Sequence, residues 1–228
     1  ELGILPPGDF RNCLVAMADA ESLVTKLFQY RFAEGSGLEG HSFGNLFIVA
    51  MSGVTGSFES AIYESSRVLA VRGRILPSTL ANLSLSARME DETVIHGESN
   101  ITQRGGKIKQ LSLVPENPEA FPEAVEAILG AQLIIIGPGS LYTSILPNLL
   151  VPGIGKAVQS AHALKVYVCN VATQKGETDG YSVSDHVDAL RRHTGSTLAD
   201  YVLANSNTTS LGPEFSGSPV RVAGWAMD

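Results

Sequence analysis

The residues best suited to chemistry lie in a glycine- and hydroxyl-rich segment, Gly-Pro-Gly-Ser-Leu-Tyr-Thr-Ser at 137–144, which directly follows an apolar run at 131–136. A short apolar run of this kind is typical of a strand buried in a parallel sheet. A glycine turn at the carboxyl end of such a strand presents backbone N–H groups where α/β sheets bind anionic ligands. The turn matches neither the nucleotide P-loop nor the dinucleotide glycine fingerprint. We therefore expect a phosphate-bearing small molecule as ligand, with Gly137, Gly139 and Ser140 in its site.

A second polar segment, Asn-Val-Ala-Thr-Gln at 170–174, follows an apolar run at 165–169. If the two strands are neighbours, both polar segments lie at one edge of the sheet, and Asn170 and Thr173 would hydrogen-bond the same ligand. The alternative is that these two side chains only cap the next helix. The serines of the glycine turn lack a nucleophile elbow, which disfavours a Ser-His-Asp hydrolase.

The amino-terminal part of the chain carries two further candidate groups. Asp9, Arg11 and Asn12 crowd together after a double-proline turn, where they either converge on a ligand or act as helix caps and a surface ion pair. His41 opens another helix between glycines, with Asn45 close behind, and is either a general acid or base or a structural histidine. Catalytic residues are left unassigned, with His41 and Asp9 as the candidates.

Two more histidines, His186 and His193, lie seven residues apart on a predicted helix, near Asp185 and Asp188. This pattern favours a solvated helix face. No second histidine or cysteine stands at a ligand spacing from His41. The sequence therefore predicts no metal site.

Helices come first, in chain order, among the elements that must position these residues. In the amino-terminal third, apolar residues at helical spacing predict one helix from a cap at Asp9 or Asn12 to about residue 28. A second helix is predicted to begin near Ser42, and a third to span about 58–71.

The rest of the chain predicts two kinds of sheet. Alternating apolar and polar residues at about 83–114 predict a small antiparallel β-meander. From residue 120 onward strands alternate with helices, which predicts right-handed βαβ units. The expected fold class is α/β: a Rossmann-like three-layer fold with a parallel sheet flanked by helices and the antiparallel insertion. We expect one domain over 1–228, and the lack of an initial methionine indicates a fragment of a longer chain.

The composition of the chain limits the classes of partner that it is expected to bind. The formal net charge is −7 and no lysine or arginine cluster is present, which disfavours nucleic acid. No apolar run approaches the roughly 20 residues of a membrane span, so none is expected. The two cysteines are far apart in sequence, which favours reduced thiols and a cytoplasmic protein.

Four motifs, at 5–13, 40–45, 137–145 and 170–178, closely resemble the YvcK branch of the CofD-like family. The resemblance covers nearly the whole chain and implies one of two functions. In one branch, 2-phospho-L-lactate transferase moves a phosphoester group from a nucleotide diphosphate-linked donor to a deazaflavin, with Mg²⁺. The other branch consists of gluconeogenesis factors, which are bacterial cytosolic proteins that bind UDP-sugars and support cell shape and growth on gluconeogenic carbon sources.

Details of the resemblance favour the second branch. The transferases have Pro-Asp-Leu-Asp where this chain has Pro-Gly-Asp-Phe at 7–10, and Ser-Asn-Pro where it has Gly-Ser-Leu at 139–141. The expected function is thus a UDP-sugar-binding regulator with no certain cofactor, whereas the transferase alternative would add Mg²⁺. NAD or NADP is a weaker third ligand class, and a homodimer and a regulatory protein partner are left open.

The resemblance also implies the residues of the site. The family's amino-terminal glycine-rich loop and its carboxyl end are not in this sequence, so part of the pocket is expected to be missing. Asn170 and the amides of Gly139 and Ser140 are expected at the nucleotide or phosphate, and the amino-terminal residues nearer the sugar or transferred group. The implied ligand-lining positions are Asp9, Arg11, Asn12, His41, Asn45, Gly137, Gly139, Ser140, Asn170 and Thr173.

Overall fold

The computed structural model describes residues 8–19, 22–33, 37–209, 212 and 217–222, except for the side chains of residues 8, 9 and 22. The chain falls into two compact units, Glu1–Pro77 and Ser78–Asp228. This division does not test whether 1–228 forms a single domain, which stays a prediction.

The first unit is helical. Its helices are α1 (Gly8–Met17), α2 (Ser22–Gln29), α3 (Phe43–Thr55) and α4 (Phe58–Val68). They pack around a cluster of buried apolar side chains, which are Leu14, Phe28, Ile48, Ile62 and Leu69.

The sequence predicts one helix where the structure has α1 and α2. The chain leaves the helix after Met17 because Ala18 forms an antiparallel bridge with Val71, and the Asp19 N–H donates to the Ala70 carbonyl at 3.2 Å. Tertiary hydrogen bonds thus override a local preference that is weak for any single residue.

The predicted cap of α1 is also wrong. Gly8 is already helical, so Asp9 and Asn12 lie inside the helix and neither stands at its N-cap. The starts of α3 and α4 follow the usual rule, because Ser42 and Ser57 each accept a hydrogen bond from the backbone N–H three residues on. The predicted start near Ser42 is confirmed.

Among the described residues, no single helix has the length and apolar character needed to cross a membrane. The α3 and α4 helices satisfy that criterion only as a pair, which is bent by 119°.

The antiparallel part of the second unit consists of three strands and a helix. These are β1 (Ser84–Met89), β2 (Val94–His96), α5 (Glu98–Arg104) and β3 (Ile108–Val114). The strand order is β2-β1-β3, with both neighbours antiparallel to β1. The predicted meander is therefore wrong in its order, because a meander would place β2 in the centre. The unpredicted helix α5 lies between β2 and β3 in the chain and lets β3 pair on the far side of β1.

The rest of the second unit alternates helices with strands, as predicted. In chain order its elements are α6 (Pro122–Leu129), β4 (Leu133–Ile136), a π-helix (Leu141–Ile145), α7 (Leu146–Leu150), α8 (Pro152–Ser160), β5 (Leu164–Val168), α9 (Val183–Thr194) and β6 (Tyr201–Leu203). The three strands form a parallel sheet in the order β4-β5-β6. The carboxyl ends of β4 and β5 are therefore neighbours, which is the condition that the predicted site required.

The two faces of β4 differ in burial. Ile136 is 7% exposed, and residues 134–136 line a cavity together with residues of α6 and α8. Leu133 and Ile135, on the other face, are 51% and 60% exposed. This alternation follows from the period of two along a strand.

Candidate functional site

The carboxyl edge of the parallel sheet is organised by one side chain. Asn170, which follows β5, accepts a hydrogen bond from the Gly139 N–H at 3.0 Å and donates from Nδ2 to the Gly139 carbonyl at 2.8 Å. The side-chain amide thus pairs with both backbone groups of one residue in the loop after β4. Because the two residues follow adjacent strands, this pairing fixes the loop against the end of β5.

The first glycine of the loop is required by its position. Gly137 has φ of +83°, a conformation that L side chains rarely adopt. A Cβ atom there would lie 2.9 Å from the carbonyl oxygen of Val168, at the end of β5. The loop therefore turns away from β4 in close contact with the neighbouring strand.

The polypeptide after the loop forms the π-helix that the sequence did not predict. The Ser140 carbonyl accepts hydrogen bonds from the N–H groups of both Ser144 and Ile145, each at 2.9 Å. Ser140 is half-buried and precedes the first turn, where backbone N–H groups have no intrahelical partner. π-helices are rare and occur frequently at functional sites.

Thr173 has a structural partner near the end of the described chain. Its Oγ1 accepts a hydrogen bond from the Ser218 N–H at 2.9 Å, and its own N–H donates to the Ser218 carbonyl at 2.8 Å. A Cβ at Gly217 would overlap the Thr173 carbonyl oxygen. Thr173 is buried and anchors this returning segment; its expected contact with a ligand stays a prediction.

A polar cavity of about 450 Å³ borders the loop on one side. Ser140 and Thr143 line it together with Gln174, Glu177 and residues of α5. Glu177 is 1% exposed. The sequence interpretation had included this glutamate in a motif but had not singled it out, because a lone glutamate after a glycine gives no local signal of burial.

An apolar cavity of about 410 Å³ borders the loop on the other side. Its walls are Gly137–Gly139 of the loop, Ser144 and Ile145 of the π-helix, and mostly apolar side chains of β4, α6, α7 and α8, with Ser78 and Asn148 as further polar members. The loop and the π-helix therefore border one cavity that is mostly apolar and one that is mostly polar.

The predicted residues of the first unit form a second, separate group. Arg11 Nη2 donates to the side chain of Asn12 at 2.8 Å, while Arg11 Nε is buried and has no hydrogen-bond partner among the described residues. The Arg11 stem crosses the start of α3, because a Cβ at Gly44 would lie 2.9 Å from it. The next residue, Asn45, has a buried Oδ1 that also lacks a hydrogen-bond partner within the described ranges.

The other two amino-terminal candidates are less constrained. His41 is exposed, and its Nδ1 lies 3.3 Å from the Glu39 carbonyl oxygen. Asp9 lies in the first turn of α1, and its side chain is outside the described part of the structure. The structure thus brings Arg11, Asn12 and the start of α3 together in the first unit, and the Gly137 loop with Asn170 in the second.

The predicted solvated face of α9 is wrong. His186 is fully buried, donates from Nδ1 to the Ser182 carbonyl at 2.8 Å and packs edge-on against Tyr181. The Tyr181 hydroxyl lies 2.8 Å from that of Tyr142 in the π-helix, and the Tyr142 ring packs against His193. The seven-residue spacing of the histidines placed them on one face, but that face packs against aromatic rings and not water.

Burial shifts the pKa values of four side chains in this part of the structure. Desolvation lowers the pKa of His186 and His193, since it disfavours the charged imidazolium, and raises the pKa of Tyr142. It also raises the pKa of Cys169, at the end of β5, to about 11. All four groups are therefore neutral at pH 7.

Within the described residues, no three or more histidine, cysteine, aspartate or glutamate side chains group together to hold a metal ion. Mg²⁺ bound through one or two carboxylates and a substrate phosphate would not need such a group. The Mg²⁺ of the transferase alternative is therefore an open prediction.

Comparisons with known proteins bear on the fold and on the function. A sequence model of the family described as "2-phospho-L-lactate transferase CofD" matches residues 1–214. The chain is also similar to a crystal structure of a Bacillus halodurans protein, with a TM-score of 0.92 and 47% identity over 98% of this chain and 73% of that one. A second crystal structure, described as a member of the UPF0052 family from the same organism, has a TM-score of 0.91 and is 48% identical in sequence. These likenesses confirm the mixed α/β fold.

Named relatives are similar over most of this chain. The protein called "Gluconeogenesis factor" in Bacillus subtilis strain 168 is 54% identical over 206 residues, which are 90% of this chain and 65% of that protein. The Halalkalibacterium halodurans protein of the same name is 50% identical over 92% of this chain and 65% of its own length. A Nostoc relative is 54% identical, and the match covers 46% of it. The chain therefore spans about half to two thirds of the length of these curated relatives.

Proposed function

The chain belongs to the CofD family, as its motifs predict, and on this premise we propose that it is part of a UDP-sugar-binding regulator of the gluconeogenesis-factor type. The observation that carries the proposal is the pairing of Asn170 with both backbone groups of Gly139. It holds a glycine turn rigidly at the carboxyl edge of a parallel sheet, which is where such sheets bind phosphate-bearing ligands.

The direct test is titration of the full-length protein with UDP-N-acetylglucosamine and UDP-glucose by calorimetry. We expect Asn170→Ala to weaken binding by about tenfold or more, because loss of the two hydrogen bonds releases the loop. The matched control is Gln132→Ala, since Gln132 is an exposed amide before β4, at the opposite edge of the sheet. Equal affinity in Asn170→Ala and the parent protein would contradict the proposal.

A second variant tests the amino-terminal group. Arg11→Ala removes a half-buried guanidinium whose Nε has no hydrogen-bond partner in the described part of the chain. Together with the buried, unpartnered Oδ1 of Asn45, this donor is available to a ligand, and we expect weaker UDP-sugar binding. The control is Arg67→Ala, because Arg67 is an exposed residue of α4 that forms a surface ion pair with Glu64.

The alternative is a transferase, which the description of the matching family favours. A transferase that handles a nucleotide diphosphate donor should need Mg²⁺, with His41 or Asp9 as candidate proton carriers. Under the regulator proposal, UDP-sugar affinity changes less than about twofold between 5 mM EDTA and about 5 mM Mg²⁺. A large gain with Mg²⁺, together with turnover of a phospholactyl donor, would favour the transferase.

The names of the relatives, "Gluconeogenesis factor", support a role in gluconeogenesis. We propose a cytoplasmic protein needed for growth on gluconeogenic carbon sources and for cell shape, acting through a regulatory protein partner. Complementation of a deletion strain by the full-length gene, with Asn170→Ala as the binding-deficient form, tests that role. Growth restored equally by both forms would separate the cellular role from ligand binding.

A further inference from the structure

The polar cavity beside the loop contains a buried carboxylate that is only half satisfied. Glu177 Oε1 accepts hydrogen bonds from the Thr143 hydroxyl at 2.9 Å, the Gln174 amide at 2.9 Å and the Thr102 hydroxyl at 3.2 Å. The other oxygen, Oε2, is buried and has no hydrogen-bond partner among the residues that the structure describes. A buried polar atom without a partner destabilises the folded state, so a donor that reaches it stabilises the protein.

The segment that carries Glu177 is held firmly. The Gly176 N–H donates to Asp179 Oδ2 at 2.6 Å, and the Gln174 N–H donates to the Thr178 hydroxyl at 2.8 Å. Gly176 has φ of +85°, and a Cβ there would overlap the Thr102 carbonyl oxygen of α5. The turn is therefore locked against α5, and Glu177 is positioned before any ligand binds.

The lining of the cavity selects the chemistry of its occupant. Hydroxyl and amide side chains of Ser99, Thr102, Gln103, Ser140, Thr143 and Gln174 face it, and its two charged residues are both carboxylates, Glu98 and Glu177. Negative charge without a lysine or arginine disfavours a phosphate. A neutral group with several hydroxyls fits both the donors and the acceptors.

We propose that this cavity binds the hydroxyl groups of the sugar, with a ligand hydroxyl donating to the Glu177 carboxylate, while the phosphates stay at the Gly137 loop. The inference rests on the proposed function and assigns a subsite within it. Ser140 joins the two subsites, since it belongs to the loop and also lines the cavity.

The test compares UDP with UDP-N-acetylglucosamine in the full-length protein and in Glu177→Gln. We expect the parent protein to bind the sugar nucleotide more tightly than UDP. Glu177→Gln should weaken binding of the sugar nucleotide by about tenfold or more, because hydrogen bonds to a charged group are stronger than neutral ones. It should leave the affinity for UDP within about twofold. The control is Glu126→Gln, an exposed glutamate of α6.

A second variant, at an exposed residue of the cavity lining, keeps the test decisive if Glu177→Gln lowers the melting temperature of the protein. Gln103 lines the same cavity but is exposed, so Gln103→Ala should fold and should weaken only the sugar nucleotide, by about two- to fivefold. Unchanged sugar-nucleotide affinity in both variants, or equal affinity of the parent for UDP and its sugar conjugate, would overturn the assignment of the cavity. Failure of the parent to bind either nucleotide would instead contradict the proposed function itself, and the assignment with it.

Discussion

The two cavities on either side of the Gly137 loop have similar volumes, about 410 and 450 Å³, but the lining of the first is mostly apolar and that of the second mostly polar. The apolar one is built mainly from neighbouring elements of the βα region, whose apolar spacing can be recognised in the sequence. The polar one combines the π-helix with α5 and the turn at 174–177, which come from three distant parts of the chain. Packing on the first side follows from hydrophobic patterning, whereas chemistry on the second side depends on which polar segments the fold brings together.

Gly137 lies at the junction of the two sides, so its substitution should have the largest effect. Gly137→Ala places a Cβ 2.9 Å from the Val168 carbonyl oxygen in a residue with φ of +83°. We expect a loss of about 3–4 kcal/mol in the free energy of unfolding, from backbone strain and the clash together. Urea unfolding of the full-length protein, followed by fluorescence, measures it.

Gly195→Ala is the matched control, because Gly195 has φ of +72° and open space around its Cβ position. It should cost only about 1 kcal/mol. Equal losses in the two variants would show that the close approach to β5 contributes nothing.

Ile136→Ala tests the apolar side. Ile136 is 7% exposed and lines the apolar cavity. Its truncation should lower the free energy of unfolding by about 2–3 kcal/mol, through lost burial and an enlarged cavity. Ile135→Ala, one residue away on the 60% exposed face, should cost less than about 1 kcal/mol. A similar cost for the two variants would contradict the difference between the faces.

Thr143→Val tests the polar side with a smaller effect. It removes the hydroxyl that donates to Glu177 Oε1 at 2.9 Å and leaves the shape nearly unchanged. We expect a loss of about 1–2 kcal/mol, since a buried carboxylate loses one of its donors. Thr197→Val, at an exposed position after α9, is the comparison and should be close to neutral. A neutral Thr143→Val would mean that the Glu177 network does not stabilise the fold.

Cys169 reports on the strand end beneath the loop without perturbing it. Burial raises the pKa of its thiol to about 11, so the reactive thiolate is scarce below that pH and increases as the pH rises. In a Cys13→Ser background, the iodoacetamide rate of the native protein should rise about tenfold per unit from pH 8 to 10. In protein unfolded by urea, the iodoacetamide rate should level off near pH 9. A native plateau near pH 9 would contradict the burial of this thiol.

The sequence predicted most of the secondary structure that carries the site. Runs of Ile and Val identified β4 and β5, and the glycine turn at 137 identified the loop between a strand and the next helices. The missed elements, α5 and the π-helix, have weak local signals. One is a short polar stretch, and the other closes through bonds to the Ser140 carbonyl that helical periodicity does not reveal.

The candidate site was predicted less completely than the fold. Asn170 was expected as a ligand contact, and the structure gives it a definite role in holding Gly139. Glu177 was not selected, and His186 was expected on a solvated face but is buried. These differences share one cause, because burial depends on side chains that arrive from elsewhere in the chain.

The amino-acid sequence by itself determined the βα alternation, the position of the glycine loop and the membership of the family. These features rest on local propensity and on motifs whose residues are close together in the chain. Only the tertiary structure decided that Asn170 would fix the loop, that α1 and α2 would separate, and that Glu177 would face a polar cavity with one oxygen unpaired. Each of those outcomes depends on hydrogen bonds between residues far apart in sequence, which form only after the strands and helices have packed.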